Sequence, residues 1–233
     1  MIKPYQKEDD TAYVEGFFPA IQLLETRKDK LVSLYVSENA LKSDAYKKIE
    51  ELVPKDKITV SDKAFRIIKA KENSHVIAVF RKYQSEFEPD KDHVVMVNPQ
   101  DSGNLGNAMR TLLAFGYKNL AIIEPANDYF SPKTLRSSMG AFFHINVESF
   151  DSFESYVAKY KRKIYPFMLD GKNELSDVLF DSPCSLVFGN EATGLPPSFM
   201  SDDAVRIRQS DDVDSLNLTT SIAIALYTAS MKK

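Results

Sequence analysis

The sequence predicts an α/β protein of two domains, and three observations carry that expectation. Short apolar runs alternate with stretches of helical periodicity along the chain. Polar loops holding Gly, Asn, Ser and Thr join strand to helix at three places in the later part. Between the two halves lies Gln84–Asp92 (QSEFEPDKD), polar, aperiodic and interrupted by Pro89, which reads as an inter-domain linker.

The first domain, residues 1–83, opens with a helix over Glu15–Thr26, whose Phe18, Ile21, Leu24 and Glu25 fall near one side. A strand at Lys30–Val36 and a short amphipathic helix at Ala45–Leu52 follow. Ile58–Val60 reads as a strand, Ser61 as the N-cap of a helix over Asp62–Ala70, and His75–Phe80 as a buried strand. Alternation on this scale suggests a small α/β sandwich. In the second domain, residues 93–233, strands are expected at His93–Val97, Leu120–Glu124, Phe143–Val147, Ile164–Leu169, Ser185–Phe188 and Ala204–Ile207. Helices are expected from about Asn104 to Phe115, near Lys133–Met139, over Phe150–Lys161 and over Leu216–Met231. Strands alternating with helices imply a parallel sheet with function at the carboxyl ends of its strands.

Composition narrows the class. The chain has 233 residues, 43% hydrophobic and 27% charged, which suffices for a core without staples. One cysteine, Cys184, excludes an internal disulfide framework and fits a reducing compartment. The opening MIKPYQKEDD has no apolar signal-peptide core. The apolar stretch Leu216–Ala229 is interrupted by Asn217, Thr219, Thr220 and Ser221, and is shorter than the roughly 20 residues a membrane span requires. A cytoplasmic protein is expected. A net charge of −3 counts against a nucleic-acid partner, but charge is unevenly spread. Between Lys63 and Lys82 the bases Lys63, Arg66, Lys69, Lys71, Arg81 and Lys82 face only Glu72. A second cluster is Lys159, Lys161, Arg162 and Lys163. Each is either a solvated face or a phosphate-binding surface.

There is no GxGxxG after a strand and no Walker A sequence. His75, His93 and His144 are far apart and read as structural groups, so no metal site is expected. Cys184 reads as a small packing residue. Asn104, Asn107 and Arg110 share one helix face, opposite Leu105, Met109, Leu112 and Leu113, with Gly116 as C-cap. The start of that helix either offers free N–H groups to an anion such as a phosphate or is simply capped. Gly189 and Gly194 bracket Asn190–Thr193. Such a loop either lets backbone approach a flat base or is an ordinary connection. In SLNLTT, Ser215 is the expected N-cap of a last helix apolar on nearly all sides. A helix of that kind is buried all round, through a threaded position or a subunit interface.

Taken in order, Asn98–Gly116, Leu186–Pro196 and Ile207–Tyr227 resemble the three motifs of the SpoU/TrmH branch of the SPOUT methyltransferases. The resemblance covers roughly Val94–Lys233. It implies transfer of a methyl group from S-adenosylmethionine to a ribose 2′-hydroxyl of RNA, a deep trefoil knot, and a homodimer with a shared active site. Asn104 and Arg110 match the first motif's asparagine and catalytic arginine, Glu191 the second motif's acidic residue, and Ser215 and Asn217 the third motif's serine and asparagine. Gly189, Ile207 and Leu216 match positions whose main chain holds the adenosyl group, and Asn190 and Gly194 complete the cofactor loop. Departures are Ala192-Thr193 for a glycine-glutamate pair, Leu218-Thr219 for valine-serine, and Arg208 for a proline. The first domain is similar to the family's L30e-like RNA substrate-binding domain, which implies RNA contacts at Lys63, Arg66, Lys69, Lys71 and Arg81. An arginine stays protonated in proteins, so Arg110 is read as a clamp on the phosphate beside the target ribose. Ribosomal RNA is favoured over transfer RNA. Three alternatives stand beside this reading: a non-catalytic RNA-binding assembly factor, a base-directed RNA methyltransferase, and a flavodoxin-like small-molecule binder.

Overall fold

The computed structural model describes residues 2–232. In chain order the elements are β1 (Thr11–Glu15), α1 (Phe17–Thr26), β2 (Leu31–Val36), α2 (Asp44–Leu52), β3 (Ile58–Val60), α3 (Asp62–Ile67), β4 (Val76–Arg81), β5 (His93–Val97), α4 (Ser102–Ala114), β6 (Asn119–Ile123), α5 (Pro132–Ser137), β7 (Asn146–Phe150), α6 (Phe153–Lys159), β8 (Lys163–Pro166), β9 (Asn173–Glu174), β10 (Cys184–Phe188), β11 (Val205–Arg206) and α7 (Leu218–Ser230). They form two compact units. One runs to Tyr83 and takes in Asp128–His144; the other is Gln84–Asn127 with the chain from Ile145 onward.

The first unit is built on a four-stranded sheet, ordered β1-β4-β2-β3. β4 runs antiparallel to β1 and β2, and β3 parallel to β2. Ser61 caps α3 as expected, accepting from Ala64 N at 3.3 Å, and Ser43 caps α2 in the same way. The helix stops at Ile67 rather than Ala70, and Lys69 turns back with φ 52°. Strand β1 was not expected, because the helical pattern extends back to Glu15; Gly16, at φ 98°, separates strand from helix. Asp128–His144 belongs to this unit, although its sequence position lies inside the second domain as read. Phe130, Phe142 and Phe143 pack their rings on Phe80 of β4. Diverting Phe143 to that core also moves the following strand on to Asn146–Phe150.

In the second unit five parallel strands take the order β7-β6-β5-β10-β8. β5, β6 and β10 are buried at every residue, as both-face-covered parallel strands must be. The stretch read as a linker is packed here. Phe87 is buried and stacks on Tyr160, its N–H donates to Glu148 at 3.1 Å, and Asp92 accepts from Cys184 N at 2.9 Å. β11 pairs with β9, and the crossing is so close that a Cβ on Gly171 would lie 2.5 Å from the Val205 carbonyl carbon. Helix α7 packs along α4. It is not buried all round: Leu218, Ile222, Ala225, Leu226 and Ala229 are inside, while Tyr227 is 55% exposed. A helix apolar on all sides needs two partners, and α4 covers only one face.

Candidate functional site

The strand order fixes where a ligand can sit. From β5 the chain passes through α4 to β6 on one side, while β10 lies on the other side of β5. This reversal opens a crevice at the carboxyl ends of β5 and β10, the usual ligand position in such sheets. A cleft of about 710 Å³ lies beside it on the β10–β8 side, lined by the loops after β8, β10 and β11. Its volume is that of a small-molecule site. Phe167 and Phe188 stack at 4.5 Å along one wall, with Leu195, Ile207 and Leu218 adding apolar surface. Asp170 and Asp214 place two carboxylates in the lining.

The loop Gly189–Gly194 is held shut by its own hydrogen bonds. Asn190 N donates to Gly194 O at 3.3 Å and Gly194 N to Asn190 O at 2.9 Å. The Asn190 side chain accepts from Ala192 N at 2.7 Å and donates to Asn98 O at 2.7 Å. Gly189 is compelled by contact: a Cβ there would stand 2.1 Å from Gly194 C and 2.2 Å from Leu195 N, both backbone. Gly194 serves by its φ of 67°. Gly189, Asn190, Gly194, Ile207 and Leu216 all line the cleft.

Glu191 joins this loop to α4. Its carboxylate accepts from Gln100 N at 3.1 Å, Asp101 N at 3.3 Å and Asn104 Nδ2 at 3.2 Å. Asp101 is the helix N-cap and accepts from Asn104 N at 2.8 Å. Asn104 Oδ1 in turn accepts from Asn217 Nδ2 at 3.4 Å, so the three loops are linked. Of the two readings of the start of α4, the capped one holds: Asp101 takes Asn104 N, and Glu191 takes the two N–H groups just before the helix. The N-cap of α7 is Asn217 rather than Ser215: Asn217 Oδ1 accepts from Thr219 N at 2.9 Å, and Ser215 stays exposed in the cleft lining. Leu113 is only half-buried, unlike Leu105, Met109 and Leu112.

Asn98 is a site residue that sequence reasoning passed over. It ends β5 with φ 52°, and its side chain donates to Glu124 O at 2.8 Å while its carbonyl receives Asn190. It thereby fixes the ends of β5 and β6 against the glycine loop. The Asn-Pro pair that closes the strand was the available signal.

Other predicted residues stand apart. Arg110 is exposed on α4, outside the cleft lining, without an ion pair or hydrogen bond among the described residues. It lies six residues beyond Asn104, about 9 Å along the helix axis. Lys63, Arg66, Lys69, Lys71 and Arg81 are exposed in the first unit, and none makes an ion pair among the described residues. The second basic cluster is largely spent on the fold. Lys159 pairs with Glu148 at 2.7 Å, Arg162 donates to Lys91 O at 2.7 Å, and Lys163 bridges Asp181 and Asp203. The three histidines have local partners: Ser37 for His75, Gln22 for His144, and Tyr156 for His93 at 2.9 Å. Burial, aided by the nearby Arg162 charge, pushes His93 down to about 3.

The pattern of the SpoU rRNA Methylase family matches residues 91–227. An uncharacterized tRNA/rRNA methyltransferase of Synechocystis is 29% identical over 141 residues, 58% of this chain and 52% of its own; the chain thus spans about half of that relative's length. The 23S rRNA (guanosine(2553)-2′-O)-methyltransferase RlmP of Bacillus subtilis is 28% identical over 212 residues, 83% of this chain and 84% of its own. Among solved structures, the SpoU methyltransferase AviRb of Streptomyces viridochromogenes with AdoMet superposes with a TM-score of 0.83 at 20% identity. That match covers 96% of this chain and 90% of AviRb, and shows a common fold.

Proposed function

Because the chain belongs to the SpoU rRNA Methylase family, we propose that it transfers a methyl group from S-adenosylmethionine to a ribose 2′-hydroxyl of RNA, with ribosomal RNA as the favoured substrate. One observation carries the reading: Glu191, Asn104 and Asn217, from three separate loops, are hydrogen-bonded together beside one cleft. A relative that matches most of this chain is named for the same reaction on 23S rRNA.

The cleft's residues fit the cofactor. Aromatic and aliphatic walls suit an adenine face, the glycine loop offers peptide groups at close range, and Asp170 and Asp214 suit a cation. When bound, S-adenosylmethionine supplies a methyl group already activated by its sulfonium. The protein supplies orientation. The main chain at Gly189, Ile207 and Leu216, which line the cleft, would hold the adenosyl group, with Asn190 and Gly194 keeping the loop closed. Glu191, Asn104 and Asn217 fix the loops, and the exposed Ser215 hydroxyl meets the substrate. Arg110 clamps an RNA phosphate and stabilises alkoxide charge at the target oxygen, whose proton leaves to solvent or a transient base.

Arg110 stands outside the cleft of its own chain, so it serves the cleft of a second copy in a homodimer. The exposed Tyr227 of α7 and Met231 just after it extend that surface. The tight crossing at Gly171 fits the family's trefoil knot, and the first unit, with Lys63, Arg66, Lys69, Lys71 and Arg81, receives the RNA. A single buried cysteine suits the cytoplasm. No helix among the described residues is long and apolar enough to cross a membrane.

The test is incubation with methyl-labelled S-adenosylmethionine and RNA from cells lacking this gene, split into ribosomal and transfer fractions and digested to nucleosides. Label in a 2′-O-methyl nucleoside is expected. Label in a base would assign base methylation, and cofactor binding without label in any fraction would overturn the enzymatic reading.

A further inference from the structure

One face of the first unit's sheet is covered in part by Ala64, Phe65 and Ile68, which pack on Tyr13 and Ile77, and beside that cover lies a hollow that the reaction does not use. Residues alternate across β1, β4 and β2, and one face buries Ala12, Val14, Ala78, Phe80 and Leu34. On the other face Tyr13, Val79 and Ser33 form a row, Tyr13 opposite Val79 and Val79 opposite Ser33. Two inter-strand steps make that row about 10 Å wide. It floors a hollow of about 160 Å³, with Tyr35 at one edge and Tyr5 from the preceding segment as a wall. Tyr5 and Tyr13 meet edge to face at 6.5 Å, and the Lys82 ammonium sits 4.7 Å from the Tyr5 ring centre, so that wall is fixed. Hydroxyls of Thr11 and Ser33 and the Asp9 carboxylate, which Lys3 neutralises at 2.6 Å, supply polar groups at the rim.

Cation and carboxylates lie at different parts of this face: Asp128, Asp9 and Glu8 act on the Tyr5 hydroxyl, and Arg81 stands at the Thr11 position. Arg81 is directly opposite Thr11 in the sheet register, on the same face as the hollow. It is exposed and makes no ion pair or hydrogen bond among the described residues. A hollow walled by aromatic rings beside a free guanidinium matches a flat ring joined to an anion. Bases in a duplex hide their faces, whereas unpaired bases expose them for stacking. We propose that this face binds one unpaired ribonucleotide of the RNA substrate, the base in the tyrosine-walled hollow and its phosphate on Arg81. This rests on the reading of the protein as an RNA methyltransferase, and adds to it a single-stranded element bound by the first unit.

The experiment is fluorescence anisotropy of the full chain with short single-stranded homopolymeric oligoribonucleotides, a matching duplex and free nucleoside monophosphates over a range of salt. Single strands should bind more tightly than duplex or monophosphate. Arg81→Gln should weaken single-strand binding and lower the salt slope by about 0.7, one phosphate contact. Ser33→Leu, which fills the hollow, should weaken it roughly tenfold with the slope unchanged. Circular dichroism melts and S-adenosylmethionine calorimetry on both variants establish that fold and cofactor binding are intact. Wild-type binding in both variants, or equal affinity for duplex or monophosphate, would overturn the proposal while leaving the methyltransferase reading standing. Failure of the wild-type chain to bind the cofactor would sink that reading, whatever the oligoribonucleotides do.

Discussion

Substituting Gly189 by alanine tests whether the glycine loop is a ligand cradle shaped by contact. The added methyl would lie 2.1 Å from one backbone carbon and 2.2 Å from a backbone nitrogen, where ordinary contact begins at 3.4 Å. No rotamer change relieves this, so Gly194 and Leu195 must move by more than an ångström. That displacement breaks the two hydrogen bonds between Asn190 and Gly194, at about 1 kcal/mol each, and overpacking adds about 1–3 kcal/mol. Gly189 and Leu195 are buried, so part of the strain lowers stability, but it falls at one loop and the chain should still fold. S-adenosylmethionine binding should weaken by about 100-fold, since about 3 kcal/mol is being lost from the cradle. Gly194→Ala is the control: nothing lies within 4 Å of its Cβ, and only the φ of 67° is strained, at about 1–2 kcal/mol. Calorimetric titration of both variants checks the order. If Gly189→Ala binds the cofactor as the wild type does, or no worse than Gly194→Ala, the contact argument is wrong.

Arg110→Ala should abolish methylation and leave cofactor affinity within about twofold, because Arg110 is outside the cleft lining; Arg110→Lys should rescue little if the clamp is bidentate. Loss of cofactor binding in Arg110→Ala would make the residue structural. Glu191→Ala leaves three donors without their carboxylate and should cost about 2–3 kcal/mol, read as a lower urea midpoint with weaker cofactor binding; an unchanged midpoint would refute the linking role. His93 gives a pH dependence. Its folded-state value, about 3, is depressed below the ordinary value of about 6.5, so the unfolded chain takes up the proton first. Its contribution is full above about pH 6.5 and is lost as pH falls toward 3, by about 2 kcal/mol between pH 7 and pH 5. His93→Phe should flatten that acid limb in urea titrations, and parallel wild-type and variant profiles would contradict the assignment.

The periodic elements were legible because their signals are local. The strand His93–Val97 and the helix cap Ser61 depend on residues within a few positions. The set of Asn104, Arg110, Glu191, Ser215 and Asn217 was named from its resemblance to the motifs of a known family, and of these the structure links Asn104, Glu191 and Asn217 by hydrogen bonds. What failed did so where a partner lay far along the chain. Phe87 looked like linker and Phe143 like the start of a strand, since neither Tyr160 nor Phe80 can be seen from its neighbours. Whether the start of α4 met an anion or was capped could not be decided locally, because Glu191, which accepts from Asp101 N, lies 90 residues away.

By itself, then, the sequence determined the alternation of elements, the residue types of the loops and the conformational need for glycine at their bends, because each is decided by backbone preference within a few residues. Only the tertiary structure decided that Asp128–His144 joins the first unit, that Asn98 braces the glycine loop, that Asn217 rather than Ser215 caps α7, and that Arg110 stands clear of its own chain's cleft. Each of those depends on which strands become neighbours in the sheet. That choice is made by burial of apolar surface across long stretches of chain, and hydrogen bonds such as Glu191 to Asn104 form only after the strand order has brought their loops together.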